Sequence, residues 1–525
     1  MKPATVRLVV LVTVVALVLG TIGVAISALT SGSGSGSSDG SGWTPAPTGA
    51  ADPGAREAPA ADLQEFYDQT VDWQRCSGEG DFECAQVEVP LDYADPDAES
   101  IELALLRAPA TDPEARIGSL LVNPGGPGAP GTTYAAQSSQ AFRPELTRVY
   151  DIVGFDPRGT GSSSPVDCVP DAALDRYLAQ DPVPDSDAEA GDLVFLTRAF
   201  NRGCVERSGE IAAHVSTAEA ARDLDVLRAA LDEDTLTYFG ASYGTQLGAT
   251  YAELFPDRVG RMVLDGGVDV TLDARESSLG QARGFETALR AYVQNCVDAG
   301  DCFLGDSVEA GLERISGLLD DLDAKPLPTQ DGREVGPGTA FLGIATPLYN
   351  RTYWDLLDQA LQRAFDGDGT VLQLLADSYA SRGPDGYLDN STEAIVAVRC
   401  LDDPASVPAG RIPEEFAAFD EAAPTFGRVF AWGLLGCVGY SARSEEEPLD
   451  IRGEGAAPIL VIGTTRDPAT PYEWSVALAD TLESGVLLTR DGDGHTGYNA
   501  GNACVDEIVE AYLIDGTVPE DGQRC

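Results

Sequence analysis

Leu236-Thr237-Tyr238-Phe239-Gly240-Ala241-Ser242-Tyr243-Gly244-Thr245 is the stretch that decides the fold. Residues 236–239 are largely apolar and read as a buried strand, and a helical pattern opens at Thr245 and runs to 254. Between them stands a Gly-x-Ser-x-Gly pentapeptide. A strand-to-helix turn this tight needs small flanking residues, and it leaves the serine projecting from a strained corner. In isolation the pentapeptide is also an ordinary glycine-rich turn. Its place between a strand and a helix gives it chemical meaning.

Outward from this corner the same alternation recurs. Short apolar runs bounded by turn residues predict parallel-type strands at 119–123, 151–155, 261–264, 459–462 and 486–489, with two earlier antiparallel strands at 85–90 and 101–108. Helices are expected at 216–232, 473–482 and 503–513. Ser216 and Glu219 have capping-box spacing, and Leu224, Leu227 and Leu231 share one face. Strands alternating with helices imply an α/β class, with a mostly parallel sheet and helices on both faces. The rhythm breaks at 268–457, which is helical and loop-rich and reads as an inserted cap over the carboxyl ends of the strands, where open α/β sheets bind ligands. The expected organisation is a leader or anchor at 1–29, a Gly/Ser/Pro/Ala tether at 30–62, core at 63–267, cap at 268–457 and core again at 458–525.

A serine nucleophile needs a base. His214 and His495 are the two histidines of the chain. In the α/β-hydrolase order the nucleophile comes first, then the acid, then the histidine, so His495 is the expected base and His214 is read as structural. Asp467 follows the run 458–463 through a short loop and precedes Pro468, which stiffens the turn. It is the expected acid, fixing the tautomer of His495. Asp491 and Asp493 compete for that role but lie too near His495 to be placed by a separate strand end. Asn123-Pro124-Gly125-Gly126-Pro127-Gly128 follows another strand. Its backbone can supply an oxyanion donor, with Gly126 the first choice because Pro127 has no N–H, and the N–H of Tyr243 the second. Asp156-Pro157-Arg158-Gly159-Thr160-Gly161 is glycine-rich but lacks the Lys-Ser/Thr of a phosphate loop, so nucleotide binding is rejected and Arg158 is read as a buried tie between loops.

Composition sets the outer bounds. The formal charge of −51 excludes nucleic acid as a partner, since phosphate binding needs a basic surface. Ten cysteines, no C-x-x-C and two histidines point away from zinc and toward five disulfides in an oxidising compartment. Proximity in sequence predicts Cys76–Cys84, Cys168–Cys204, Cys296–Cys302, Cys400–Cys437 and Cys504–Cys525, since short loops close at least entropic cost. Lys2 and Arg7 precede the apolar run at 8–29, which reads as a signal sequence or a membrane tether that sends the remainder outside. No cofactor is expected.

Together, Val89-Pro90-Leu91-Asp92-Tyr93, the Gly125–Gly128 loop, Asp156 to Gly161, Gly240 to Gly244, Arg466-Asp467-Pro468-Ala469-Thr470-Pro471 and Gly494-His495 resemble the prolyl and tripeptidyl aminopeptidase family of α/β hydrolases, in its secreted actinobacterial branch. Pro124 stands where proline iminopeptidases carry a histidine, which points to the tripeptidyl type. The resemblance implies a secreted or outer-face serine exopeptidase that holds the free amino group of a peptide with cap carboxylates and releases short peptides through an acyl-enzyme. Cys400-Leu401-Asp402-Asp403 resembles a cysteine-acid segment of this branch, and Asp402 is the candidate amine-binding group; an acidic loop pinned by a disulfide is the plainer reading. A carboxylesterase or lipase acting on acyl esters would use the same triad, and the triad residues do not separate the two. Oligomeric state is not legible in the sequence.

Overall fold

The computed structural model describes residues 54–78, 80–444, 446 and 448–525. The apolar run 8–29 and residues 30–53 of the expected tether lie outside them. Residues 54–62, also read as tether, are packed in part. Ala55 is buried, Arg56 Nε lies 2.7 Å from Asp232, and Arg228 donates to the Ala55 carbonyl. Packed sequence thus begins ahead of residue 63.

Ten strands form one sheet: β1 Gln74–Arg75, β2 Glu83–Pro90, β3 Ser100–Ala108, β4 Gly118–Asn123, β5 Tyr150–Phe155, β6 Leu236–Ala241, β7 Val259–Asp265, β8 Ile459–Arg466, β9 Gly485–Asp493 and β10 Gln523–Arg524. Their order is β1-β2-β3-β5-β4-β6-β7-β8-β9-β10. Strands β1, β2, β3 and β5 pair antiparallel in that sequence, and every pairing from β5 through β10 is parallel. Chain order reverses at β4, so the carboxyl end of β4 lies beside that of β6, with Asn123 opposite Gly240. That reversal opens the crevice in which such sheets hold their chemistry.

The helices that matter below are α1 Thr217–Ala230, α2 Tyr243–Leu254, α3 Ala274–Ala299, α4 Ser391–Asp402, α5 Tyr472–Thr481 and α6 Ala503–Asp515. Successive side chains of a strand point to opposite faces. Leu121 accordingly joins Leu224 and Leu227 of α1 on one face, whereas Leu120 and Val122 join Val505, Val509 and Leu513 of α6 on the other. Ser216 caps α1 by accepting from Glu219 N at 3.3 Å. The returning half of the expected capping box is replaced: Glu219 Oε1 lies 2.9 Å from His214 Nδ1, and Oε2 accepts from Ser216 Oγ.

Between β7 and β8 the chain is mainly helical, as the sequence pattern predicts, and it carries a buried apolar cluster of its own that includes Leu289, Ile315, Ile344, Leu348, Leu361 and Leu372. A second helical excursion, Asp171–Ala179 and Asp187–Ser208 between β5 and α1, falls within the stretch 63–267 read as core. It packs on the core through Leu174 and Phe200 and also touches this inserted stretch: Asp175 pairs with Arg382, and Asn201 Nδ2 donates to the carbonyls of Gly436 and Val438. All five expected disulfides are formed. Arg158 is the buried tie foreseen for it, bidentate to Asp223 and donating to the carbonyls of Pro90, Leu91 and His214.

Candidate active site

Ser242 joins β6 to α2 with φ 56° and ψ −123°, a left-handed backbone that costs a non-glycine residue about 1–3 kcal/mol. The turn closes only because Gly240 has no side chain: a Cβ there would lie 2.3 Å from the Gly244 carbonyl oxygen. The Ser242 amide donates to the Asp265 carbonyl at 2.9 Å, which ties the corner to the end of β7. Across the crevice, the loop after β4 presses on this corner. A Cβ on Gly125 would stand 2.8 Å from Ser242 Cβ and 3.1 Å from Tyr243 N. Gly125 N donates to Asn123 Oδ1, and Gly125 and Gly126 both have positive φ. The Tyr243 N–H opens α2, where helix geometry provides no intrahelical acceptor for it.

Asp467 lies just beyond β8, with its side chain fully buried. Oδ1 accepts from the amides of Ala469 and Thr470, each at 2.9 Å, and Oδ2 accepts from Thr496 N at 3.2 Å. Both oxygens lie 2.9 Å from His495 Nδ1. A carboxylate is acceptor-only, so this contact places a proton on Nδ1 and leaves Nε2 free to accept one. Nε2 is buried, and among the described residues it has no hydrogen-bond partner; no Ser242 Oγ–Nε2 bond is formed. Such bonds are commonly long until a substrate closes them. His495 Cε1 sits 3.2 Å from where a Gly266 Cβ would be, and Gly266 follows the residue whose carbonyl holds Ser242 N, so the imidazole lies against the end of β7 to which the serine corner is tied. Burial alone would push the imidazole down, but the charge and hydrogen bond of Asp467, helped by Asp265, outweigh it and hold His495 above its ordinary value. The competing acids are engaged elsewhere, Asp491 with Arg466 and Asp493 with Arg466 and Arg351.

The inserted stretch reaches both sides of the site. The Tyr349 carbonyl accepts from His495 N at 2.7 Å, and its ring meets the imidazole edge-on with centroids 5.3 Å apart. The first turn of α4 lies on the Gly125–Gly128 loop: a Cβ on Gly128 would fall 2.7 Å from Ala394 Cβ. At the other end of α4, Asp402 accepts from Thr217 N at 2.8 Å and from Thr217 Oγ1, and Thr217 Oγ1 lies 2.8 Å from Tyr243 Oη. Asp402 is thus joined through one threonine to the residue that follows Ser242. Its side chain keeps accessible surface at the end of α4. Nearby protein atoms displace water around it and push its carboxyl up, against the two Thr217 bonds, with Glu446 and Glu219 adding to the rise.

Sequence reasoning did not single out Thr217, Tyr349 or Asp265, whose partners lie far away in the chain. His214, read as structural, is paired with Glu219. Asp92, His214 and Glu219 bring their ligand atoms within 4.8 Å of one another, but Glu219 is also 3.4 Å from the Arg158 guanidinium, whose charge opposes a bound cation. A surface hollow bordered by Gly118, Glu233, Thr235 and Arg261 lies at the amino ends of the strands, away from this chemistry.

A strained serine at a strand-to-helix corner, a buried carboxylate–imidazole pair at the ends of the next strands and a parallel sheet reversing at β4 define a serine hydrolase of the α/β-hydrolase fold. Residues 423–525 match the family model described as TAP-like protein. The chain is 38% identical over 476 residues to the serine protease Hip1 of Mycobacterium tuberculosis, an alignment covering 87% of this chain and 91% of that one. It is 37% identical over 457 residues to carboxylesterase B of the same organism (84% and 86% covered), and 34% identical over 476 residues to tripeptidyl aminopeptidase of Streptomyces coelicolor (87% and 86% covered). The chain belongs to this tripeptidyl aminopeptidase-like family of serine hydrolases.

Proposed function

We propose that the protein is an extracytoplasmic serine exopeptidase that releases short peptides from free amino termini through an acyl-enzyme. Ser242 attacks the scissile carbonyl, His495 takes its proton through Nε2, and Asp467 fixes the Nδ1–H tautomer and stabilises the imidazolium. The N–H groups of Gly126 and Tyr243 stabilise the oxyanion. His495 then returns the proton to the leaving amine, and water repeats the sequence on the ester. Residues 268–457 act as a cap over the crevice, a reading supported by the separate apolar cluster of that stretch and by the contacts of Tyr349 and α4 with the site. Five disulfides favour an oxidising compartment. The segment 8–29, a leader or tether on this reading, would carry the chain outward; among the described residues no helix is long and apolar enough to cross a membrane.

The observation that carries the peptidase reading is Asp402, an accessible carboxylate on α4 held by Thr217 against Tyr243. A protonated α-amine placed there gains a charge-assisted bond at a fixed distance from the nucleophile, which is how an exopeptidase counts residues. The relative named carboxylesterase B, almost as similar as the protease, favours a second reading in which acyl esters are the substrates. Hydrolysis rates for free-amine tripeptides, their acetylated forms and short acyl esters decide between them. Preference for the free amine supports the exopeptidase; equal rates on free and blocked peptides, or turnover of esters alone, refute it.

A further inference from the structure

We propose that Asp265 is a second, positioning carboxylate of the active site: buried beneath the histidine loop, it fixes that loop through two backbone amides and brings a buried negative charge to the segment that carries His495. The inference rests on the triad assigned above.

The position follows from the sheet. Asp265 ends β7 and pairs in register with Ala241 of β6 on one side and Ile462 of β8 on the other, between the strand that delivers the nucleophile and the strand that delivers the acid. Its carbonyl accepts from Ser242 N at 2.9 Å. Its side chain turns the other way, Oδ1 accepting from Gly497 N at 2.7 Å and Oδ2 from Tyr498 N at 2.9 Å. One residue, 1% exposed, therefore holds the serine corner with its backbone and the histidine loop with its side chain.

That loop needs holding. Gly494, Thr496 and Asn499 have φ of 101°, 67° and 55°, and a β-branched threonine is a rare occupant of the left-handed region. Such a backbone persists only where its surroundings over-determine it. Besides Asp265, the loop is fixed by Thr464 Oγ1 donating to the Thr496 carbonyl at 2.9 Å, by Thr496 N on Asp467, and by Arg490 donating to the carbonyls of Asp493 and Ala500. A group that must accept from two amides at once is best a carboxylate, and a carboxylate brings a charge. The ionisable groups facing it are His495, Asp467 from the loop after β8, Arg490 from β9 and Tyr134 from the helix Gly131–Ala136. Burial pushes the Asp265 carboxyl up to about 6 against its two amide bonds, so it is charged at neutral pH and becomes neutral in acid, and its charge is one of the influences that raise His495.

The test compares the acid limb of kcat/KM on a short acyl ester, which needs no amine recognition, for wild type, Asp265→Asn and Thr464→Val. The asparagine variant keeps the shape but loses the charge and, because its NH₂ only donates, one of the two amide bonds. Its rate falls about 10- to 100-fold, the effect of a slightly misplaced base. Its acid midpoint moves downward by on the order of one pH unit, because the imidazolium has lost a stabilising anion. Thr464→Val removes a loop bond and no charge; its rate falls but its midpoint stays where it is. An unmoved midpoint in Asp265→Asn overturns the proposal, as does an equal shift in Thr464→Val. Should Asp265→Asn fail to fold, wild-type protein decides. The chain has two histidines, so a ¹³C-histidine spectrum is assignable with His214→Gln. His495 coupled to a titrating neighbour departs from a single-proton curve; adherence to one overturns the proposal. Retained turnover in Ser242→Ala would sink the triad itself, whereas loss there with an unshifted Asp265→Asn sinks the second carboxylate alone.

Discussion

Replacing Asp467 by asparagine puts the proposed triad to its sharpest test, because the donors around that carboxylate dictate which way the amide must turn. Two backbone N–H groups, from Ala469 and Thr470, point at Oδ1, and one, from Thr496, points at Oδ2. An asparagine lowers its cost by setting its single oxygen against the two donors. Its NH₂ then occupies the Oδ2 position, opposite Thr496 N and His495 Nδ1. Two consequences follow. The Thr496 amide faces a donor, a lost bond at a buried site worth about 1–3 kcal/mol. The imidazole must accept at Nδ1, which moves its proton to Nε2, where it cannot take the proton of Ser242. A lost charge-assisted bond alone would slow the reaction about 10- to 150-fold. The wrong tautomer raises the expected loss to about 10⁴ in kcat, the size of the aspartate-to-asparagine effect in another serine hydrolase triad, with KM little changed. The assay is steady-state hydrolysis of one ester and one free-amine peptide at pH 7.5, alongside the rate of covalent labelling by a fluorophosphonate. Both substrates and the labelling rate should fall together. A loss smaller than tenfold, in folded protein, refutes the assignment of Asp467.

Ser242→Ala should abolish fluorophosphonate labelling and lower kcat by several orders of magnitude while circular dichroism and thermal unfolding stay near wild type. Acetylating a peptide substrate should lower kcat/KM by about 2–4 kcal/mol, roughly two to three decades, and Asp402→Asn should erase most of that preference while small esters still turn over; esters falling equally would make Asp402 a structural group. The imidazole of His495 is held above its ordinary 6.5, so activity that needs it neutral is lost as pH falls through a midpoint above that value. A pH profile of kcat/KM on an uncharged ester, flat down to pH 5, would contradict this.

The central parallel strands were legible because they are buried on both faces and therefore read as apolar runs, whereas β2 and β3 alternate buried with exposed positions; observed ends lie within a few residues of the expected ones. β1 and β10, two residues each and built from Gln and Arg, leave no such signature. The order of serine, acid and histidine along the chain favours His495 over His214, and the separate strand end before Asp467 favours it over Asp491 and Asp493; the structure pairs Asp467 with His495. What the sequence could not show depends on distant pairs. Glu219 reads as half of a capping box, yet His214 draws it away. Asp265 looks like any acidic turn residue at a strand end until residues 497 and 498 close over it. The helices at 171–208 sit between two core strands in sequence, and only their bonds to Arg382 and Gly436 show that they also touch the inserted stretch.

β7 and β8 are hydrogen-bonded neighbours, although the whole inserted stretch lies between them in the chain. Each doubling of a connecting loop costs only about 0.6 kcal/mol of closure entropy, so lengthening a minimal crossover to this size costs roughly 2–3 kcal/mol. The insertion offsets that with its own buried cluster. Evolution can therefore trade one insertion for another without re-inventing the serine corner or the carboxylate–imidazole pair. Chimaeras that splice the 268–457 stretch of one relative into the framework of another offer a direct way to move substrate preference while the reaction itself stays fixed.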